Sequence, residues 1–218
     1  MILLHDSDVY EIGVDEVGRG CLFGDVVAGA VILPLDLGNH REWNDVRDSK
    51  KISEKKRTLL DEFIRRESVA FGVGVVDHEE IDRINILNAS MHAMKIAIDG
   101  AIAMFKQTVA DGAFVSLIRV DGDRFNHVYI DQESETHIPH VCIPKGDDKH
   151  KNIAAASILA KVYRDNQLVL GCAENPLWNR YDLCKNKGYG TRAHIDALRI
   201  YGPIPGHRTT FKPVAGLL

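Results

Sequence analysis

Four acidic residues are the first candidates for chemistry in this chain. Asp15 and Glu16 are neighbours in VYEIGVDEVGRG (residues 9–20), Asp121 directly follows FVSLIRV (114–120), and Asp165 closes NIAAASILAKVYRD (152–165). Carboxylates brought together without compensation repel one another, and some must protonate. A hard divalent cation removes the conflict, and oxygen ligands without Cys or His favour Mg2+ or Mn2+ over Zn2+. Two such ions about 3.5 to 4 Å apart form a phosphoryl-transfer site, one activating water and the other stabilising the leaving oxygen. Adjacent strand residues face opposite ways, so Asp15 and Glu16 share a site only if the strand bends before Gly18. On a helix, Lys161 and Asp165 lie four apart on one face, so an ion pair between them is the alternative reading of Asp165. DGDRF (121–125) is not a calcium loop, because its Gly and its terminal Glu fall in the wrong places.

The elements that must position these acids follow from periodicity. Residues 10–17, 26–33, 68–76, 114–120 and 140–144 read as strands, rich in β-branched residues and bounded by turn residues. Helices are expected at about 54–66, 78–105, 152–170 and 191–200, with Ser53 as N-cap of the first. Residues 43–51 read as a polar loop. Short turns make the first three strands an antiparallel meander, and the later strands join in parallel. The class is α/β: a mixed five-stranded sheet flanked by helices, with a helical C-terminal region. Asp15, Glu16 and Asp121 then lie at carboxyl ends of strands, where open α/β sheets bind ligands. The alanines at 154–156 and 160 let the helix carrying Asp165 approach the sheet closely.

The chain has 218 residues, 45% apolar and 27% charged, which fits one domain over 1–218. It has no signal-peptide core and no apolar run long enough to span a membrane. A soluble, cytoplasmic protein is expected. Cys21, Cys142, Cys172 and Cys184 are scattered, arguing against zinc and against a disulfide framework. The net charge of −4 hides an asymmetry: residues 141–218 hold twelve Lys and Arg against six Asp and Glu. The helical part of that region, from about 171 to 218, is the expected substrate-binding region.

Seven segments in order resemble ribonuclease HII: GVDEVGRG (13–20), DSKKISEKKR (48–57), INILNASMHAMKIAI (84–98), VDG (120–122), KGDDKHKNIAAASILAKVYRD (145–165), NKGYGTRAHIDAL (186–198) and YGPIPGHRTTFKPV (201–214). The resemblance spans almost the whole chain. It implies an RNase H-like fold and a metal-dependent endonuclease that cuts the RNA strand of RNA–DNA hybrids and cuts 5′ of single ribonucleotides in duplex DNA. The products carry 5′-phosphate and 3′-hydroxyl ends. Carried over by motif position, Asp15, Glu16, Asp121 and Asp165 are the metal-binding and catalytic carboxylates of a two-metal Mg2+ or Mn2+ site. The backbone of Gly18, Arg19 and Gly20 contacts the ribonucleotide, Tyr189 packs on the sugar, and Ser49 and Lys50 lie near phosphates. The same resemblance implies a monomer acting on hybrids and ribonucleotide-containing duplexes, with no membrane partner.

Two glycines flanking Arg19 let main chain approach a sugar, and a 2′-hydroxyl is the group that separates RNA from DNA. The alternative is that they only make a tight hairpin turn. The chain departs from the family pattern at residues 21–25 (CLFGD), at Asn152 and at Thr210. QLVLG (167–171) resembles a sliding-clamp peptide faintly, but its place on a core helix makes Leu168 and Leu170 packing residues. His194 and His207 read as hydrogen-bonding rather than catalytic groups.

Overall fold

In a computed structural model of the chain, residues 9–47, 49, 52–109, 112–130 and 137–217 are described. β1 (Val9–Val17), β2 (Val26–Ile32) and β3 (Ala70–Val76) form the antiparallel meander. β4 (Phe114–Asp121) pairs in parallel with the free side of β1. A short antiparallel pair follows, β5 (Tyr129–Ile130) with β6 (His137–Ile138), and then β7 (His140–Ile143) extends the main sheet in parallel, giving the order β3-β2-β1-β4-β7. Strands of two residues are too short to show a period-2 pattern, so β5 and β6 are not legible in the sequence. The helices are α1 (Glu54–Glu67), α2 (His78–Ile84), α3 (Ile86–Thr108), α4 (Lys151–Glu174), α5 (Leu183–Asn186), α6 (Arg192–Tyr201) and α7 (Lys212–Ala215). Among the described residues no helix is long and apolar enough to cross a membrane.

Four expectations need correction. The helix expected over 78–105 is two helices. Asn85 adopts φ 68°, ends α2, and caps α3 by accepting from the Leu87 and Asn88 amides at 3.1 Å. Residues 41–44 form a 3-10 turn rather than a polar loop, and Trp43 is buried edge-on against Phe63 at 4.8 Å. The C-terminal helical region begins later than 171, because α4 continues to Glu174. Leu168 is buried, but Leu170 is 55% exposed and is not a packing residue. Held in a helix with Leu168 in the core, residues 167–171 offer no extended peptide.

The sheet is covered by α3 on one face and α4 on the other, and the pleat of β1 sorts its side chains between them. Ile12 and Val14 join Ala93, Ala97 and Ile98 of α3 in one core cluster. Gly13 faces α4, with the Asn152 carbonyl carbon 2.2 Å from where a Cβ would sit, and across the ladder the same position of Gly29 lies 2.4 Å from the Ala156 oxygen. Main chain therefore touches main chain, and the alanines of α4 are what permits it. Asp15 has the parity of Gly13 and looks toward α4, one turn along the helix at Ser157. Gly29→Ala must push helix from strand. It is expected to cost about 1–3 kcal/mol, read as a lower denaturant midpoint. An unchanged midpoint would mean that the helix yields freely.

Candidate active site

Asp15 and Glu16 lie on β1 within its paired stretch, opposite Gly29 and Ala28. The strand does not bend before Gly18, as sharing a site had required. Instead the Asp15 carboxylate curls back to accept the Glu16 amide at 2.7 Å. Burial drives the Asp15 carboxyl well above the ordinary range. The negative charges of Glu16 and Asp121 push it further, and the Ser157 hydroxyl and the Glu16 amide pull it partly back. Burial likewise raises Glu16; the Arg19 guanidinium at 3.0 Å opposes the rise and Asp121 adds to it. Asp121 ends β4 and accepts the Gly146 amide at 2.6 Å. Asp15, Glu16 and Asp121 are thus brought into one electrostatic neighbourhood.

Each of these acids engages its own donor, and among the described residues no three Asp, Glu, His or Cys side chains are gathered tightly enough to hold a metal between them. The donor set nevertheless fits a hard cation. It is all oxygen, two of its carboxyls are held high by burial, and Glu16 Oε2 is buried without a hydrogen-bond partner. A buried orphan acceptor costs on the order of 1–3 kcal/mol unless something binds it. The 3-10 turn Gly146–Asp148 is docked on Asp121 by the Gly146 bond, and the next residue, Asp147, is half-buried there. The sequence reading does not single out Asp147. The available signal was its place in KGDDKHK, directly before the close-packed helix.

Asp165 is placed differently. It is buried on α4, where Lys161 Nζ binds Oδ1 at 2.7 Å and Arg57 approaches Oδ2 at 3.6 Å. The ion-pair alternative is the one realised. Ser49 is also buried rather than turned to a phosphate. Its hydroxyl meets that of Ser157 at 2.9 Å, and its carbonyl accepts Arg57 Nε at 3.0 Å. Lys50 lies outside the described residues.

The turn at residues 18–20 follows the acids directly. Gly18 has φ +94°, and a Cβ there would fall 2.4 Å from Arg164 Nε, so only glycine fits. Two buried guanidinium groups hold the turn. Arg164 donates to the carbonyls of Phe23 (3.0 Å), Asp25 (2.9 Å) and Lys187 (2.8 Å), and Arg208 donates to those of Arg19 (3.0 Å) and Gly24 (2.9 Å). Burial pushes Arg208 down to about 10. The departures at residues 21–25 therefore keep a defined geometry: Leu22 donates to the Gly188 carbonyl at 2.8 Å, Gly24 to that of Gly206 at 2.8 Å, and Cys21 bridges to Tyr189. Tyr189 is 39% exposed, with its ring centre 5.7 Å from Lys161 Nζ. Thr210 has a definite role as well. It and Thr209 each give an amide and a hydroxyl to Asp82 of α2, tying the C-terminal loop down.

The mixed five-stranded sheet with helices on both faces is an α/β architecture of the RNase H type. A family model described as Ribonuclease HII matches residues 12–214. Curated relatives of that name include one from Bacteroides thetaiotaomicron, 46% identical over 94% of this chain and 91% of its own length, and one from Porphyromonas gingivalis, 42% identical over 96% and 92%. The chain belongs to the ribonuclease HII family. Among solved structures, the ribonuclease H2 from Pyrococcus horikoshii OT3 shares the fold with a TM-score of 0.65 at 22% identity, covering 95% of this chain and 96% of its own. Bst-RNase HIII, solved in complex with Mn2+, does so with 0.63 at 19%, covering 95% and 68%.

Behind Tyr189 lies a pair of buried histidines. His194 Nδ1 meets the Tyr189 carbonyl, its Nε2 meets His207 Nε2, and the Ile204 amide donates to His207 Nδ1, all at 3.0 Å. One proton per ring satisfies these three contacts, His207 Nδ1 also lies 3.0 Å from the Ile204 carbonyl, and burial disfavours the charged form of both rings. Burial lowers both, His207 to about 4 from an ordinary 6.5. Below about pH 6.5 the unfolded chain takes up protons that the folded one refuses, so this contribution is full above pH 6.5 and is lost as pH falls toward 4. The raised Asp15 and Glu16 act with the opposite sign, so the histidine effect is isolated by comparison. The melting temperature of the wild type relative to His207→Gln is expected to fall between pH 6.5 and 4, and a constant difference would contradict a neutral pair.

Proposed function

We propose that this chain performs its family's endoribonuclease reaction at the carboxyl ends of β1 and β4, hydrolysing the RNA strand of RNA–DNA hybrids and cutting 5′ of single ribonucleotides in duplex DNA. The observation that carries the reading is the direct succession, on one strand, of two buried acids and the turn at residues 18–20. Asp15, Glu16 and Asp121 would hold Mg2+ or Mn2+, with Asp147 as the fourth carboxylate, since it follows the amide that binds Asp121. Such ions supply activation of water and neutralisation of the charge that builds on the leaving oxygen. The Mn2+ complex of the structurally similar Bst-RNase HIII is consistent with that choice.

The chain's own groups supply selection. Main-chain N–H and C=O groups at residues 18–20 read the 2′-hydroxyl, which both donates and accepts. The exposed ring of Tyr189 packs on the sugar. Ser157 and the Glu16 amide hold the Asp15 carboxylate in place, so a ribose seated in the turn presents its phosphate to a fixed set of acids.

Asp121→Asn and Asp147→Asn are each expected to abolish cleavage and to weaken Mn2+ binding measured by calorimetry, while duplex binding through phosphate contacts persists. Near-wild-type cutting would remove the substituted residue from the site, and full wild-type activity in EDTA would sink the metal assignment.

Tyr189→Ala is expected to lose roughly tenfold to a hundredfold in rate on a single embedded ribonucleotide, the cost of about 1–3 kcal/mol of lost contact, with little change in melting temperature. All-DNA, single-ribonucleotide and hybrid duplexes cut by both proteins make the test. Equal wild-type cutting of all-DNA duplex, or unchanged discrimination in the variant, would refute the ribose-reading role.

A further inference from the structure

We infer that Asp165 is a positioning residue that locks the tyrosine side of the site to the carboxylate side, rather than a metal ligand. The inference rests on the ribose-reading role proposed for Tyr189. Both Asp165 oxygens are committed: Oδ1 to Lys161 Nζ at 2.7 Å and Oδ2 toward Arg57 at 3.6 Å. Lys161 places its ammonium 5.7 Å from the centre of the Tyr189 ring, within cation–π range. Arg57 spends its remaining donors on the carbonyls of Ser49 (3.0 Å) and Ile52 (2.9 Å). Ser49 in turn meets Ser157 at 2.9 Å, and Ser157 directly follows Ala156, whose carbonyl lies against Gly29, the register partner of Asp15.

The links form one continuous path, Tyr189, Lys161, Asp165, Arg57, Ser49 and Ser157, which ends on the part of α4 that packs against the strands beside Asp15. Ser157, Lys161 and Asp165 are spaced by four on α4 and share one helix face. A carboxylate is the group that can hold both cations of this path. Its loss leaves Lys161 free to swing away from the ring and Arg57 held only by carbonyls. Arg57 and Asp165 are both buried, and a buried pair loses much when one partner goes.

The test is Asp165→Asn in the full chain, with two readouts. The first is Mn2+ affinity by calorimetry, expected to stay within about twofold of wild type, where removal of a ligand would cost tenfold or more. The second is a double-mutant cycle with Tyr189→Ala on the single-ribonucleotide duplex. Asp165→Asn alone should lower the cleavage rate about tenfold, and adding it to Tyr189→Ala should lower it by less than about threefold more, because Asp165 acts through the tyrosine. Asp165→Glu, which keeps the charge, should recover most of the lost rate. If Asp165→Asn does not fold, the charge-balanced Asp165→Asn/Lys161→Met variant takes its place for Mn2+ affinity, with the same expectation.

A tenfold drop in Mn2+ affinity, or penalties that simply multiply in the cycle, would overturn the assignment. Wild type on all-DNA duplex checks the ribose-reading role separately, and the Mn2+ measurement decides on Asp165 whatever that control gives.

Discussion

Two neighbouring carboxylates buried at the end of the central strand set the terms for everything around them. Asp15 and Glu16 carry like charge in a place where water cannot screen it, and burial alone raises both. Such a pair persists only if the fold over-determines its position. Three features do so here. The pleat of β1 turns Asp15 toward α4 and its Ser157. The close contact of α4 with Gly13 and Gly29 brings that helix near enough to supply the hydroxyl. The turn after Val17 returns Arg19 to Glu16 at 3.0 Å. Asp121 arrives from the parallel neighbour β4 and is steadied by the first amide of the Gly146–Asp148 turn. The stability lost in holding these charges together is what a cation bound at the proposed site would recover.

The other half of the site is built from main chain, and main chain needs scaffolding to be selective. The turn at residues 18–20 and the loop carrying Tyr189 have little regular structure of their own. Arg164 and Arg208 provide it from inside, donating to five carbonyls spread over these loops. A lysine could not substitute, because its ammonium lacks the planar fork that reaches several acceptors at fixed angles. The two arginines thus serve geometry, and their charges stay far from the solvent that a nucleic acid would occupy.

Much of this was legible in the sequence, and the reasons differ by element. The five main strands and the meander followed from β-branched runs separated by short turns. Asp15, Glu16 and Asp121 followed from acids at strand ends. The break at Asn85 was hidden because the apolar period runs through it without a phase error; only the left-handed backbone reveals it. Asp165 was ambiguous for a definite reason: a helix places residues four apart on one face whether they ligate a metal or pair with each other, and spacing cannot tell which. The burial of Ser49 against Ser157 was not legible, because a motif match reports proximity to the site and not the direction of a hydroxyl. Asp147, the fourth carboxylate of the proposed site, was passed over because it sits in a charged stretch that reads as surface.

Distinguishing RNA from DNA is a problem of one oxygen atom, and this limits how it can be solved. A mobile side chain can hydrogen-bond a hydroxyl, but it can equally relax onto water when the hydroxyl is missing, and little discrimination results. Backbone groups in a locked turn cannot relax in that way, so an absent 2′-hydroxyl leaves them unpaired at full cost. In the proposed reading, rigidity in the turn would therefore be the source of selectivity. That rigidity is placed below the surface, in Arg164, Arg208 and the neutral His194–His207 pair, whose hydrogen bonds end on the carbonyls of Arg19, Lys187 and Tyr189. On this view the buried polar residues of the C-terminal third set specificity, whereas the exposed basic residues of the same region set affinity for any polyanion.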